Sequence, residues 1–130
     1  MRDKDKRFVI EVNKEQAWIL SQACELLARA NMAQFARIAD FYFDKLDAKG
    51  LDALRDALAK AEEAASKLLN GIRSKETWDG ARIAFDIHQV IRHELALDEP
   101  GKQWGVYAHD PMRTSKCKLA TIRKLPGKKG

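Results

Sequence analysis

The chain reads as an α+β protein: about three α-helices, one of them long, packed with a small antiparallel β-sheet formed from its N- and C-terminal strands. Three observations lead there. Phe8, Ile10 and Val12 alternate with Arg7, Val9, Glu11 and Asn13, three stretches without proline carry apolar residues at helical spacing, and Trp104, Val106 and Ala108 form a second alternating run after the last of them.

The first strand is expected over residues 7–13, with Phe8, Ile10 and Val12 on its buried face. A long helix follows over residues 14–43, rich in alanine, leucine and glutamine, with a bend near Asn31. At about 1.5 Å per residue it would span roughly 40–45 Å, against a radius of gyration of about 14 Å for a compact chain of this size. Trp18, Leu20, Cys24, Leu27, Met32, Phe35, Ile38 and Phe41 cannot share one narrow stripe. A helix apolar most of the way round needs partners on several sides. A homo-oligomer, a dimer or an assembly of dimers, is the expected supplier, with a central helix wrapped by its own chain as the alternative.

A second helix is expected over residues 51–70, where Leu51, Leu54, Leu58, Ala61, Ala65 and Leu68 repeat in steps of three and four before Asn70 and Gly71 stop it. Thr77 is placed to cap a third helix running to about Leu97, with Ala84, Ile87, Ile91 and Leu95 as its buried stripe. Pro100 and Gly101 force a turn into the second strand over residues 103–109. A weaker third strand is expected over residues 118–125.

Composition narrows the class. With 130 residues, 45% hydrophobic and 33% charged, the chain fits one domain over residues 1–130 that buries a real core, with a flexible basic tail over 124–130. The net charge of +5 is concentrated: seven of the 24 basic residues and none of the 19 acidic ones lie between Arg113 and Lys129. Such a local field points to an anionic partner. Cys24 and Cys117 belong to no ligand-spaced cluster, so neither zinc nor a disulfide scaffold is expected. The charged opening residues and the lack of a long apolar run lead to the cytoplasm of a host cell, with no membrane partner.

Catalytic patterns fail on spacing. His88 and His93 are five apart, off the i, i+4 ridge of a helical metal pair, and Leu97 breaks the HExxH pattern that begins at His93. His109-Asp110 is followed at once by Pro111, which removes it from a helix. No glycine-rich phosphate loop or nucleophile elbow occurs. No catalytic residue, metal or cofactor is therefore expected, and the chain reads as a binding protein and not an enzyme. Arg113, Thr114 and Ser115 offer a guanidinium fork, two hydroxyls and a turn whose N–H groups suit an anion. On the third helix Phe85, His88 and Arg92 fall at i, i+3 and i+7, so a ring lies near an arginine, as a purine and its phosphate would require. Spacing alone favours Phe85 as an ordinary core ring and Arg92 as a surface cation paired with an acid such as Glu94 or Asp98.

The run Asp86-Ile87-His88-Gln89-Val90-Ile91-Arg92-His93-Glu94-Leu95-Ala96, followed by Pro111-Met112-Arg113-Thr114-Ser115, resembles a small phage and prophage family, the first Thoeris anti-defence group. The resemblance covers roughly the last half of the chain closely and the N-terminal elements in outline. It implies a sponge that binds the cyclic ADP-ribose isomer made by TIR-domain enzymes without degrading it. It also implies oligomers built from dimers that enclose the ligand near a subunit boundary, with cyclic oligonucleotides taken up elsewhere by some members. By resemblance Phe85 stacks on the ligand with Arg92 close by, while Met112, Arg113, Thr114 and Ser115 contact base, ribose or phosphate. Where family members carry a glycine-rich, aspartate-bearing strand before the Pro-Met motif, this chain has residues 103–110, a difference that bears on ligand preference. Two other classes compete: a small basic nucleic-acid-binding phage protein, from the basic segment beside Trp104 and Tyr107, and a hydrolase using His93, His109 and Asp110.

Overall fold

The computed structural model describes residues 5–69, 75–99 and 110–126, without the side chains of residues 69 and 75–78. Three α-helices and a long 3₁₀ segment account for its regular structure: α1 (Lys14–Asn31), the 3₁₀ segment (Phe35–Tyr42), α2 (Ala48–Leu69) and α3 (Lys75–Asp98). No strand occurs among the described residues, so the expected α+β class is corrected to an all-helical one.

Two of the three expected strands fall on described residues, and each fails for its own reason. Residues 7–12 form no regular element: Phe8, Val9 and Ile10 stand out in solvent and pair with no described backbone, and only Val12 reaches the core. Residues 118–125 contribute Leu119 and Ile122 to the core between α1 and α3. Their spacing of three docks side chains onto a helix without a ladder of backbone bonds. The strand expected at 103–109 lies outside the described residues, as do the turn at Pro100-Gly101 and the stop at Asn70-Gly71.

α1 begins at Asn13 through a capping box: Asn13 Oδ1 accepts the Gln16 N–H at 2.8 Å, and Gln16 Oε1 accepts the Asn13 N–H at 2.9 Å. The single long helix expected over residues 14–43 is divided. It stops at Asn31, and Ala33 sits buried with φ 55°, a left-handed conformation that costs an alanine about 1–2 kcal/mol and turns the chain away from the α1 axis. The 3₁₀ segment then packs on α2. Ala39 is sealed against that helix's side, Glu62 accepts the Ala36 N–H at 3.3 Å, and Arg55 reaches Asp40 at 3.2 Å.

α2 starts earlier than its leucines indicate. Asp47 Oδ1 accepts the Gly50 N–H at 2.7 Å, an N-terminal cap that places Gly50 inside the first turn. A Cβ on Gly50 would lie 2.9 Å from that same oxygen, so a side chain there would disturb the cap. Among the described residues α2 packs on the 3₁₀ segment and not on α1 or α3.

The main core lies between α1 and α3, which run antiparallel. Lys14 meets Asp98 at one end, and Gly80 lies against Asn31 at the other. Buried positions near the Gly80 end are small, with Ala28 on α1 and Ala81 and Ala84 on α3, whereas at the other end Ala17 clusters with Val90, Ile91 and Leu95. α3 begins at Lys75, ahead of the expected cap at Thr77. At the open end Lys14 pairs with Asp98 and Glu99, and Lys124 pairs with the second oxygen of Asp98 at 2.7 Å. Lys124 and Lys14 together hold the Asp98 carboxyl below its usual 3.8, and Glu99 and Asp98 raise Lys14 above its usual 10.5.

Candidate functional site

α3 presents two polar ridges side by side. Arg82, Asp86, Gln89 and His93 repeat in steps of four, three and four, one line along the helix. Residues 110–115 lie against that line as a strap running opposite to α3. His93 Nε2 is 3.5 Å from Asp110, and Gln89 brackets Met112, donating to its carbonyl at 2.9 Å and accepting its N–H at 3.2 Å. Thr114 Oγ1 comes within 3.4 Å of the Arg82 carbonyl.

Asp86 is the anchor. Its Oδ1 accepts the N–H and hydroxyl of Thr114 at 2.9 and 2.6 Å, and its Oδ2 accepts the N–H and hydroxyl of Ser115 at 2.9 and 2.7 Å. The turn was expected to receive an anion, and the anion it holds is this carboxylate of its own chain. Burial pushes the Asp86 pKa up, but the four hydrogen bonds from Thr114 and Ser115 outweigh it and hold the group below its usual 3.8.

The second ridge faces α1. His88 and Arg92 on α3 meet Ser21 and Glu25 on α1, two i, i+4 pairs across one interface. Arg92 Nε donates to Ser21 Oγ at 2.9 Å, and Ser21 Oγ lies 2.9 Å from His88 Nδ1. His88 Nε2 faces Glu25 at 3.7 Å, which calls for the proton on Nε2; Nδ1 is then the acceptor of the Ser21 hydroxyl. The Arg92 guanidinium lies 3.7 Å from the centroid of the Trp18 ring. Serine, histidine and glutamate in one chain of contacts invite a nucleophile reading, but Ser21 is 0% exposed and its oxygen already accepts from Arg92. The network is packing that ties two helices together.

Burial depresses the His88 pKa below its ordinary 6.5; Arg92 and Arg29 add to that, and Glu25 opposes it. The unfolded chain therefore takes up a proton near pH 6.5 that the folded chain refuses, so stability falls as pH drops below about 6.5. Urea midpoints are expected to decline between pH 7 and pH 5, and His88→Asn, which carries no titrating ring, is expected to flatten that limb.

The six residues singled out by sequence divide between these ridges. Thr114 and Ser115 are engaged with Asp86, while Met112, 74% exposed, and Arg113, also exposed, project outward from the strap between its two fixed points. Phe85 is half-buried at the edge between the ridges, its ring 5.9 Å from the Arg29 guanidinium and 5.8 Å from the His88 ring. Arg92 is 8% exposed and turned toward α1, not a surface cation paired with Glu94 or Asp98. The structure thus brings Met112 to Ser115 together along α3, with Phe85 on the neighbouring edge and Arg92 inside. Sequence reasoning gives no site role to Trp18, Ser21, Glu25, Asp86 or Gln89.

Among the described residues no group of three or more His, Cys, Asp or Glu could hold a metal ion, and no helix is long and apolar enough to cross a membrane. Cys24 and Cys117 are both free thiols, and partial burial raises the pKa of Cys24, which makes it a poor nucleophile. Compared with known proteins, the chain matches no family model, no curated protein and no solved structure.

Proposed function

We propose that the chain is a phage anti-defence protein that binds and sequesters a cyclic nucleotide immune signal, of the cyclic ADP-ribose class, without cleaving it. The observation that carries this reading is the staked strap. Two hydrogen bonds at Met112 and four at Thr114 and Ser115 immobilise the backbone on both sides of Arg113. An exposed guanidinium and an exposed thioether are thereby held on a rigid support, which lowers the entropy lost when a ligand docks.

Energetics call for a second copy. Stacking on one ring contributes about 1–3 kcal/mol and each charge-assisted hydrogen bond about 1.5–3 kcal/mol, whereas nanomolar retention needs about 12 kcal/mol. Arg92 is committed to Trp18 and Ser21, so Phe85, Met112 and Arg113 form one wall of a site whose other wall belongs to a partner subunit in a homo-oligomer.

Titration calorimetry with a TIR-made cyclic ADP-ribose isomer tests this. Arg113→Ala is expected to weaken binding roughly 10- to 150-fold, the equivalent of one charge-assisted contact, with the ligand recovered unchanged after denaturation. Equal affinity of the variant and wild type would remove the strap from the site, and a hydrolysed ligand would overturn sequestration. The exposed run of Arg113, Lys116, Lys118 and Arg123 supports nucleic acid as the second reading; that reading requires a gel shift that fades steeply with added salt.

A further inference from the structure

The N-terminal arm is the most exposed apolar segment among the described residues: Phe8, Val9 and Ile10 are 90%, 99% and 75% exposed. They belong to no helix or strand, their backbone pairs with no described residue, and Asn13 begins α1 soon after. Unpaired backbone carrying apolar side chains is open to strand pairing.

The order of residues in the arm selects its partner. Residues 7–11 read Arg, Phe, Val, Ile, Glu, a cation and an anion placed symmetrically about Val9. Pairing two copies antiparallel about a two-fold axis at Val9 sets Arg7 opposite the second copy's Glu11, at both ends of the pair. Side chains alternate across a strand, so Arg7, Val9 and Glu11 share one face, where Val9 meets its own symmetry mate between two opposite-charge pairs. On the other face Phe8 lies opposite Ile10, twice. A two-fold interface requires a self-complementary patch, and this sequence is self-complementary in charge and in apolar shape.

We infer that the arm is a self-recognition element: residues 7–11 pair with the same segment of a second copy as a two-stranded antiparallel ribbon centred on Val9. An isolated ribbon is marginal in water, so the association is concentration-dependent and draws on other apolar surface of the two copies. The ligand reading also needs a second copy; what is added here is the surface through which copies pair, argued from the arm's residues alone.

Charge reversal on the full chain tests it, read by sedimentation velocity across a concentration series. Arg7→Glu and Glu11→Arg each place like charges opposite one another at both ends of the ribbon, and each is expected to sediment as a monomer where wild type is dimeric. Mixing these two variants restores opposite charges at both ends, and a heterodimer is expected. The double variant carrying both changes is expected to dimerise as wild type does. A monomeric wild type at every concentration, single variants that dimerise as wild type does, or a mixture that stays monomeric would each overturn the assignment. Circular dichroism of each variant confirms that a monomer is a folded one.

Discussion

Replacing Asp86 by alanine is expected to destabilise the protein by about 3 kcal/mol and to release the strap from α3 while the α1–α3 pair stays folded. One buried carboxylate accepts all four hydrogen bonds that fix Thr114 and Ser115. Charge-assisted bonds contribute about 1.5–3 kcal/mol each, but four bonds to one group do not add, because removing the carboxylate also removes the cost of burying it. Asp86→Asn separates the two oxygens. The amide keeps one acceptor and turns the other into a donor that faces a backbone N–H, so about half of the loss is expected. Hydrogen exchange at the Thr114 and Ser115 amides should quicken in both variants and more in the alanine one. The acid limb gives a second check. A carboxyl held below 3.8 contributes stability above that pH that is lost as pH falls through its folded value, and Asp86→Ala should lack that part of the acid transition. In a ligand assay the alanine variant should also lose affinity, since Arg113 then rides on a loose loop.

This anchor shows what the amino-acid sequence made legible and what it hid. The Thr114-Ser115 turn was readable as an anion receptor from its residue types. The identity of the anion was not, because Asp86 precedes Thr114 by 28 residues and Ser115 by 29 and looks in isolation like any solvated helical acid. A signal did exist. Arg82, Asp86, Gln89 and His93 form a polar line along a helix whose adjoining face is already polar through His88 and Arg92, so too little of α3 remains apolar for an ordinary surface helix.

Helices were legible for the same reason strands were misread. The apolar spacing of α2 and α3 is local and survives whatever packs against it, whereas alternation in residues 7–12 describes a strand only if a second strand lies alongside. In the described chain none does, and Phe8 and Ile10 are left in solvent while Val12 alone reaches the core. Residues 118–125 show the converse: Leu119 and Ile122 are buried by the core between two helices, and no described backbone pairs with them as a strand. The division of the long N-terminal helix rests on Ala33 in a left-handed conformation, which residue propensity would not assign to alanine.

Arg92→Ala carries the second large effect, an expected loss of about 3–4 kcal/mol in chemical denaturation. The guanidinium fills space against Trp18, donates to Ser21 and stands 4.0 Å from Glu25. Truncation leaves a void over the indole and a partly buried carboxylate without its cation. Arg92→Lys separates charge from shape: an ammonium keeps attraction to Glu25 and the ring but has no Nε–H positioned for Ser21 and no plane to stack, so an intermediate loss of about 1–2 kcal/mol is expected. A purely steric role for Arg92 would leave His88 alone, yet the nearby cation is one reason its pKa is depressed. The His88 ring in Arg92→Ala should therefore titrate at higher pH than in wild type by proton NMR, and less stability should be lost between pH 7 and pH 5. An unchanged His88 titration would show that the two side chains share a cavity without sharing a field.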